Sequence, residues 1–255
     1  MNLAVPQPLS PHIVDGAALK QTLTEAGVTS IEALVEKYTA KRETQLFVED
    51  RLSFVASGAR QLDEAVAPKP HTPPEMNLTI DGESHDPAVI TELDGRPLYS
   101  TPGIDSKGDP VLHSFTSPAG MFEHLANTPW EPHASFPSNS DRAAGDIGTT
   151  NPDSLPALSY YFENAYKGGD WLQNGPGRAW RDLRRVPRGI FHLGDWNDII
   201  SSVDWCRWDI SLYEHPGYQP TASQLYLRAG RTYYYLAEFG WSDKASSTVN
   251  WGQRF

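Results

Sequence analysis

The stretch Trp196-Asn197-Asp198-Ile199-Ile200-Ser201-Ser202-Val203 returns later in the chain as Trp241-Ser242-Asp243-Lys244-Ala245-Ser246-Ser247-Thr248-Val249. Trp, Asp, Ser and Ser fall at the same offsets in both copies, and a further tryptophan follows each, Trp205 and Trp251. Repetition of this kind points to a duplicated supersecondary unit rather than to a chance motif. A second correspondence lies upstream. Tyr161-Phe162-Glu163-Asn164-Ala165-Tyr166-Lys167-Gly168 precedes the first loop, and Leu212-Tyr213-Glu214-His215-Pro216-Gly217-Tyr218-Gln219 precedes the second. Each reads as a strand with an aromatic–Glu pair that runs into a folded hairpin. The unit is strand, hairpin, strands and an Asp-x-x-Ser-Ser loop, and two such four-strand units sharing a core form a Greek-key sandwich.

The surrounding composition supports an all-β domain over residues 156–255. Seven of the eight tryptophans and nine of the eleven tyrosines lie at or after Tyr160, and short aromatic and β-branched runs alternate with Gly, Pro, Asn and Asp. That is strand and turn chemistry. The segment is long enough to fold without disulfides. Residues 67–155 have another texture: fourteen of the 21 prolines fall between Pro68 and Pro156. Proline lacks a donor and breaks both helices and ladders, so this region is expected to be mostly irregular, opening on a linker or extended arm. Within it, Ile90–Tyr99 around Asp94-Gly95 reads as a small hairpin, and Ser117-Pro118 as the start of a short helix through Met121, Phe122 and Leu125. Residues 1–66 are expected to be mainly helical. Thr29 and Glu32 fit a capping box, and Ile31, Leu34, Val35 and Tyr38 share one helical face. The expected class is α+β overall, with an all-β C-terminal sandwich preceded by a helical and irregular N-terminal region.

The duplicated pattern resembles the microbial βγ-crystallins, a superfamily that includes the vertebrate lens proteins. The resemblance covers roughly residues 155–255, one domain of two Greek-key motifs. Asn197 to Ser202 matches the family's (Asn/Asp)-(Asn/Asp)-x-x-(Ser/Thr)-Ser loop at every position; the second copy departs once, at Ser242. The hairpins depart more: the first is a residue short, and Pro220 stands where the family keeps glycine.

The family binds calcium at this pair of loops. Calcium takes six to eight oxygen ligands and accepts carboxylate, hydroxyl, carbonyl and water together. The loops offer oxygen donors and no sulfur or imidazole, which disfavours zinc and copper. The resemblance implies Ile199 (through its carbonyl) and Ser201 (through its hydroxyl) at one ion, and Lys244 and Ser246 in the same roles at the other. Asp198 and Asp243 would cross between the motifs, and hairpin carbonyls near Glu163 and Glu214 would close the sites. A lone Asp-x-x-Ser-Ser more often forms a turn whose side chains bond their own backbone, as in the lens branch. Two copies in one domain favour the metal.

The rest of the sequence narrows the classes. A net charge of −11 and a pI near 5.1 oppose general nucleic-acid binding. No run approaches the ~20 apolar residues of a membrane-spanning helix, and the N-terminal residues lack the pattern of a secretory signal. The single cysteine, Cys206, leaves no intramolecular disulfide, so a cytoplasmic setting is expected. Cys206, between Trp205 and Trp208, reads as buried and apolar rather than as a nucleophile. No triad, Walker, dinucleotide or metalloprotease motif occurs, and the protein is read as non-enzymatic, with a structural, protective or calcium-buffering role. Arg178, Arg181, Arg184, Arg185 and Arg188 cluster beside Trp180 and are expected to pair with the chain's own acidic groups. Of Tyr233-Tyr234-Tyr235, at least one should enter the core. The expected partner is calcium, without nucleic acid or membrane. Two alternatives have other origins: self-association through the amphipathic face in residues 13–66, and a proteinase inhibitor of crystallin fold. Relatives of the latter kind rely on disulfides that this chain lacks.

Overall fold

The computed structural model describes residues 48–53, 68–128, 158–188, 194–204, 206–219 and 222–252. Most of the helical expectation for residues 13–66 lies outside these; the described part, 48–53, is helical. The expected loops of 129–156 lie almost wholly outside as well.

The C-terminal strands are β5 (Ser159–Asn164), β6 (Gly168–Asn174), β7 (Ala179–Trp180), β8 (Ser202–Asp204), β9 (Ile210–Tyr213), β10 (Gln224–Leu227) and β11 (Ser247–Asn250). They build two sheets, and each sheet is joined by a piece of the other motif. β6, β5 and β8 of the first motif pair in that order, and Tyr233 of the second motif bridges to Val203 beside β8. In the other sheet β10, β9 and β11 of the second motif pair in order, and β7 of the first motif pairs antiparallel with β11. Strand β7 of the first motif and the Tyr233 bridge of the second thus each cross to the other motif's sheet, and the two units form one double Greek-key sandwich. This is the crystallin-type architecture that the repeat leads one to expect.

The proline-rich segment is more regular than its composition suggests. It forms β1 (Asn77–Ile80), β2 (Glu83–His85), β3 (Tyr99–Ile104), β4 (Pro110–Phe115) and a helix, α1 (Pro118–Asn127). β3 pairs parallel with β10 at Tyr99 and Ser100, so the second crystallin sheet continues through β3, β4, β1 and β2 to eight strands. An exposed edge of the sandwich is thereby covered. Pro102 lies past the stretch paired with β10, and Pro110 opens its strand, so both missing donors fall where no ladder asks for them.

The hairpin expected over Ile90–Tyr99 is corrected. Pro87–Leu93 is a 3-10 helix, capped by Asp86, whose side chain accepts from the Ala88 N–H at 2.8 Å; Pro87 sits at its start. A capping aspartate followed by proline outweighs the weak strand signal around Asp94-Gly95, which only ends the helix. The hairpins of this region are β1–β2 and β3–β4, the latter closed where the Asp105 carboxylate accepts from the Lys107 and Asp109 N–H groups at 2.8 and 2.9 Å. The short helix stands as expected: Ser117 accepts from the Gly120 N–H at 3.1 Å, and Met121, Phe122 and Leu125 are buried.

The main core runs through the sandwich and under β1–β4, around Leu78, Tyr161, Trp196, Val203, Leu212, Leu225 and Tyr233. A second cluster joins α1 to Tyr99, Phe115 and Tyr226, with Val48, Leu52 and Trp251 packed on it. Arg51 is buried there, its guanidinium 3.8 Å from the centre of the Trp251 ring. Tyr233, held by its bridge to Val203, enters the core, while Tyr234 and Tyr235 stay half-buried. Among the described residues no helix is long and apolar enough to cross a membrane.

Candidate metal centre

The two Asp-x-x-Ser-Ser loops meet back to back, and their hydrogen bonds repeat position by position. Ser201 N–H donates to Phe162 O at 2.9 Å, and Ser246 N–H to Tyr213 O at 2.8 Å. Leu236 N–H donates to Ser201 O, and Leu183 N–H to Ser246 O, both at 2.9 Å. Ser202 Oγ donates to Asn164 O and Ser247 Oγ to His215 O, each at 2.7 Å. These pairs make Ser201 equivalent to Ser246, and Glu163 to Glu214. Asp198 and Asp243 both adopt a left-handed backbone, with φ of 55° and 56°. Among non-glycine residues, Asp and Asn tolerate that conformation best, which accounts for the shared aspartate on backbone grounds alone.

The side chains then cross between motifs. Ser201 Oγ donates to Asp243 Oδ1 at 2.7 Å, and Ser246 Oγ to Asp198 Oδ1 at 3.1 Å. The backbones cross as well: Asp198 N–H donates to Ala245 O at 2.9 Å, and Asp243 N–H to Ile200 O at 3.2 Å. The result is two cradles. In the first, Ser201 Oγ is within 3.3 Å of Ile199 O as well as bonded to Asp243, so carbonyl, hydroxyl and carboxylate oxygens converge. Ser242 Oγ joins them, 3.0 Å from Ser201 Oγ.

The second cradle holds a cation belonging to the chain. Lys69 Nζ lies 2.5 Å from Asp198 Oδ1 and 3.3 Å from Lys244 O, while Ser246 Oγ bonds the same Asp198 oxygen. The ammonium is a stand-in ion: it marks a place where a positive charge is met by the carboxylate, with carbonyl and hydroxyl oxygens beside it. Lys244 turns its own side chain away, donating to Pro70 O at 3.1 Å. Burial, and secondarily the nearby Lys69 charge, lower the pKa of Lys244, against the pull of Glu214.

Both hairpin glutamates have fixed partners. Glu163 pairs with Arg188 and accepts from the Asp170 N–H at 3.1 Å. Glu214 accepts from the Lys69 N–H at 2.6 Å and the Ser223 N–H at 3.1 Å. Their carboxylates are thus engaged in holding the hairpins. Among the described residues no three His, Cys, Asp or Glu side chains gather. The donor set in each cradle is one carboxylate with neutral oxygens, a set that suits a hard cation of flexible coordination. Lys69 is the residue that sequence reasoning missed: a lysine between prolines carries no signal for a site more than a hundred residues away.

The remaining candidates settle into structure. Arg184 forks onto Asp182, with Nε 2.8 Å from Oδ1 and Nη2 2.9 Å from Oδ2, and Arg185 approaches the same carboxylate. With Arg188 on Glu163, three of the five clustered arginines pair with the chain's own acids. Cys206 is fully buried, and burial pushes its thiol pKa well up.

No family model matches the chain, and no curated protein does. Among solved structures, a βγ-crystallin from Ciona intestinalis aligns at 21% identity, over 36% of this chain and 98% of its own, with a TM-score of 0.28. A structure concerning the evolution of the eye lens βγ-crystallin domain fold aligns at 16% identity, over 41% of this chain and 91% of its own, with a TM-score of 0.30. A βγ-crystallin from an archaeon aligns at 19% identity, over 37% of this chain and 96% of its own, with a TM-score of 0.27.

Proposed function

We propose that this chain is a calcium-binding, non-enzymatic protein of crystallin type whose stability is linked to the ion. The observation that carries the reading is the reciprocal crossing of Ser201 to Asp243 and Ser246 to Asp198. A turn needs each loop to bond only itself; here each loop lends its aspartate to the other.

Ile199, Ser201 and Asp243 would hold one ion, and Lys244, Ser246 and Asp198 the other, with carbonyls of the Glu163 and Glu214 hairpins nearby. Bound calcium would supply charge neutralisation and a cross-link between motifs. An ion held by the native fold alone stabilises it by mass action, on the order of 2.7 kcal/mol at a hundredfold excess over Kd. The function is structural or protective, or a calcium buffer. In a cytoplasmic setting the sites would fill when calcium rises.

Calorimetric titration of metal-stripped protein tests this, with magnesium as control and an Asp198→Asn, Asp243→Asn double variant alongside. Asparagine keeps the left-handed backbone and removes only the charge. Calcium-specific heat that the double variant loses supports the reading. No heat and no rise in melting temperature would leave a crystallin-type fold whose loops are turns.

A further inference from the structure

The two cradles are built alike yet differ in what faces them. Asp243 makes no salt bridge among the described residues, whereas Asp198 is paired with Lys69. Lys69 does not reach this place by accident of a loose surface side chain. Its segment is fastened to the second motif at several points: the Lys69 N–H on Glu214, Pro70 O under Lys244 Nζ, and the Glu75 N–H on Glu238 O at 2.8 Å. His71 is held on the other side, its N–H on Asp94 at 2.6 Å and its ring on Arg96 O at 2.9 Å. Gly240 completes the seat. A Cβ there would stand 2.2 Å from Thr72 O, so the absence of a side chain is what lets the strap lie down.

We propose that Lys69 is a tethered competitor for the Asp198–Lys244–Ser246 cradle, so that the Ser201–Asp243 cradle takes a divalent cation first and the second fills only as the ammonium leaves. This rests on the calcium reading above. The physics is that of a linked ligand. A charge held by a short, anchored segment acts at high effective concentration, and an ion that must displace it binds with an affinity reduced by the fraction of open sites. The ammonium satisfies Asp198 Oδ1 and Lys244 O with a single charge; calcium would bring two charges and call on more oxygens. The strap thereby converts a symmetric pair of loops into sites of unequal affinity. It gives the segment around Lys69 a stake in the metal state of the two loops.

The test compares the full chain with its Lys69→Met variant, which keeps the apolar stem and removes the charge. Calcium titration of the wild type should give one tighter and one weaker site, and Lys69→Met should tighten the weaker one by about tenfold or more. Adding Asp198→Asn to Lys69→Met should abolish that gain, placing it at this cradle. A second readout needs no variant: acylation of the Lys69 amine by acetic anhydride, followed by mass spectrometry, should speed up in wild type as calcium fills the second site. If Lys69→Met titrates as wild type, with two sites and acylation unmoved by calcium, the competitor is refuted while calcium binding stands. If neither protein takes calcium, the calcium reading falls and the competitor with it.

Discussion

Ser201 and Asp243 belong to different motifs, yet Ser201 Oγ donates to Asp243 Oδ1 at 2.7 Å, and the same bond recurs between Ser246 and Asp198. The two loops therefore complete each other's hydrogen bonding, and removing one hydroxyl should be felt in the other motif. Ser201→Ala should cost about 1 kcal/mol of stability without calcium, the net worth of a hydrogen bond to a partly buried acceptor. It should cost more with calcium present, because the Ser201 cradle loses a donor. Urea unfolding with and without calcium gives both numbers; equal losses in the two conditions would argue that the hydroxyl serves only the fold.

Gly240 has a φ of 69° and sits against Thr72 O. Gly240→Ala brings both a left-handed alanine and a clash with a carbonyl, and should destabilise the protein by about 2–3 kcal/mol. Because the clash falls on the strap, amide exchange of residues 68–76 should accelerate more than that of β9 or β11. Uniform acceleration would show that the strap is not an independent opening unit.

His113 on β4 and His124 on α1 lie with ring centroids 4.5 Å apart. Burial lowers both pKa values, that of His124 to about 4, with the charges of His113 and Arg228 adding to the effect. The native state thus refuses a proton that the unfolded chain accepts from about pH 6.5 downward. The stability contributed by the neutral rings is complete above that pH and is lost as pH falls toward 4. For a partly solvated group such as His124 the loss should be about 1–2 kcal/mol after allowing for screening. His124→Gln should flatten this acid limb of the stability curve; an unchanged limb would assign it to other groups.

Cys206 is enclosed and its thiol pKa is raised. It should resist thiol reagents in the native protein and react only at the rate of unfolding, as a thiolate is both scarce and shielded. Stopped-flow measurement with a chromogenic disulfide across a urea series would show this. Fast labelling in native buffer would contradict the buried assignment.

These predictions separate what local sequence carries from what folding adds. The loops were legible because the motif is short and occurs twice: an aspartate that tolerates positive φ, then two serines at fixed offsets. One short loop has too few oxygens to enclose an ion, which made a pair of loops the expectation, and the family resemblance implied the crossing of Asp198 and Asp243. One tyrosine of Tyr233-Tyr234-Tyr235 is buried as expected, but through a single bridge of Tyr233 to Val203 rather than the alternation of a strand. By contrast, the hairpin placed at Ile90–Tyr99 failed where strand propensity competed with the capping chemistry of Asp86-Pro87. Propensity is spread over many residues, while a cap acts at one.

What the sequence determined by itself is thus the repeat, the pairing of the loops and the kind of oxygen donors they present. Only the tertiary structure decided that the proline-rich segment extends the second sheet through β3 on β10, and that Lys69 lies on Asp198 while Asp243 is left to Ser201. The physical reason is range. A turn or a cap is written in a few neighbouring residues, but an ion pair across 129 positions follows from where the strap is pinned. That depends on Glu214, Glu238 and a glycine at position 240 acting together, and no short window of sequence contains them with Lys69.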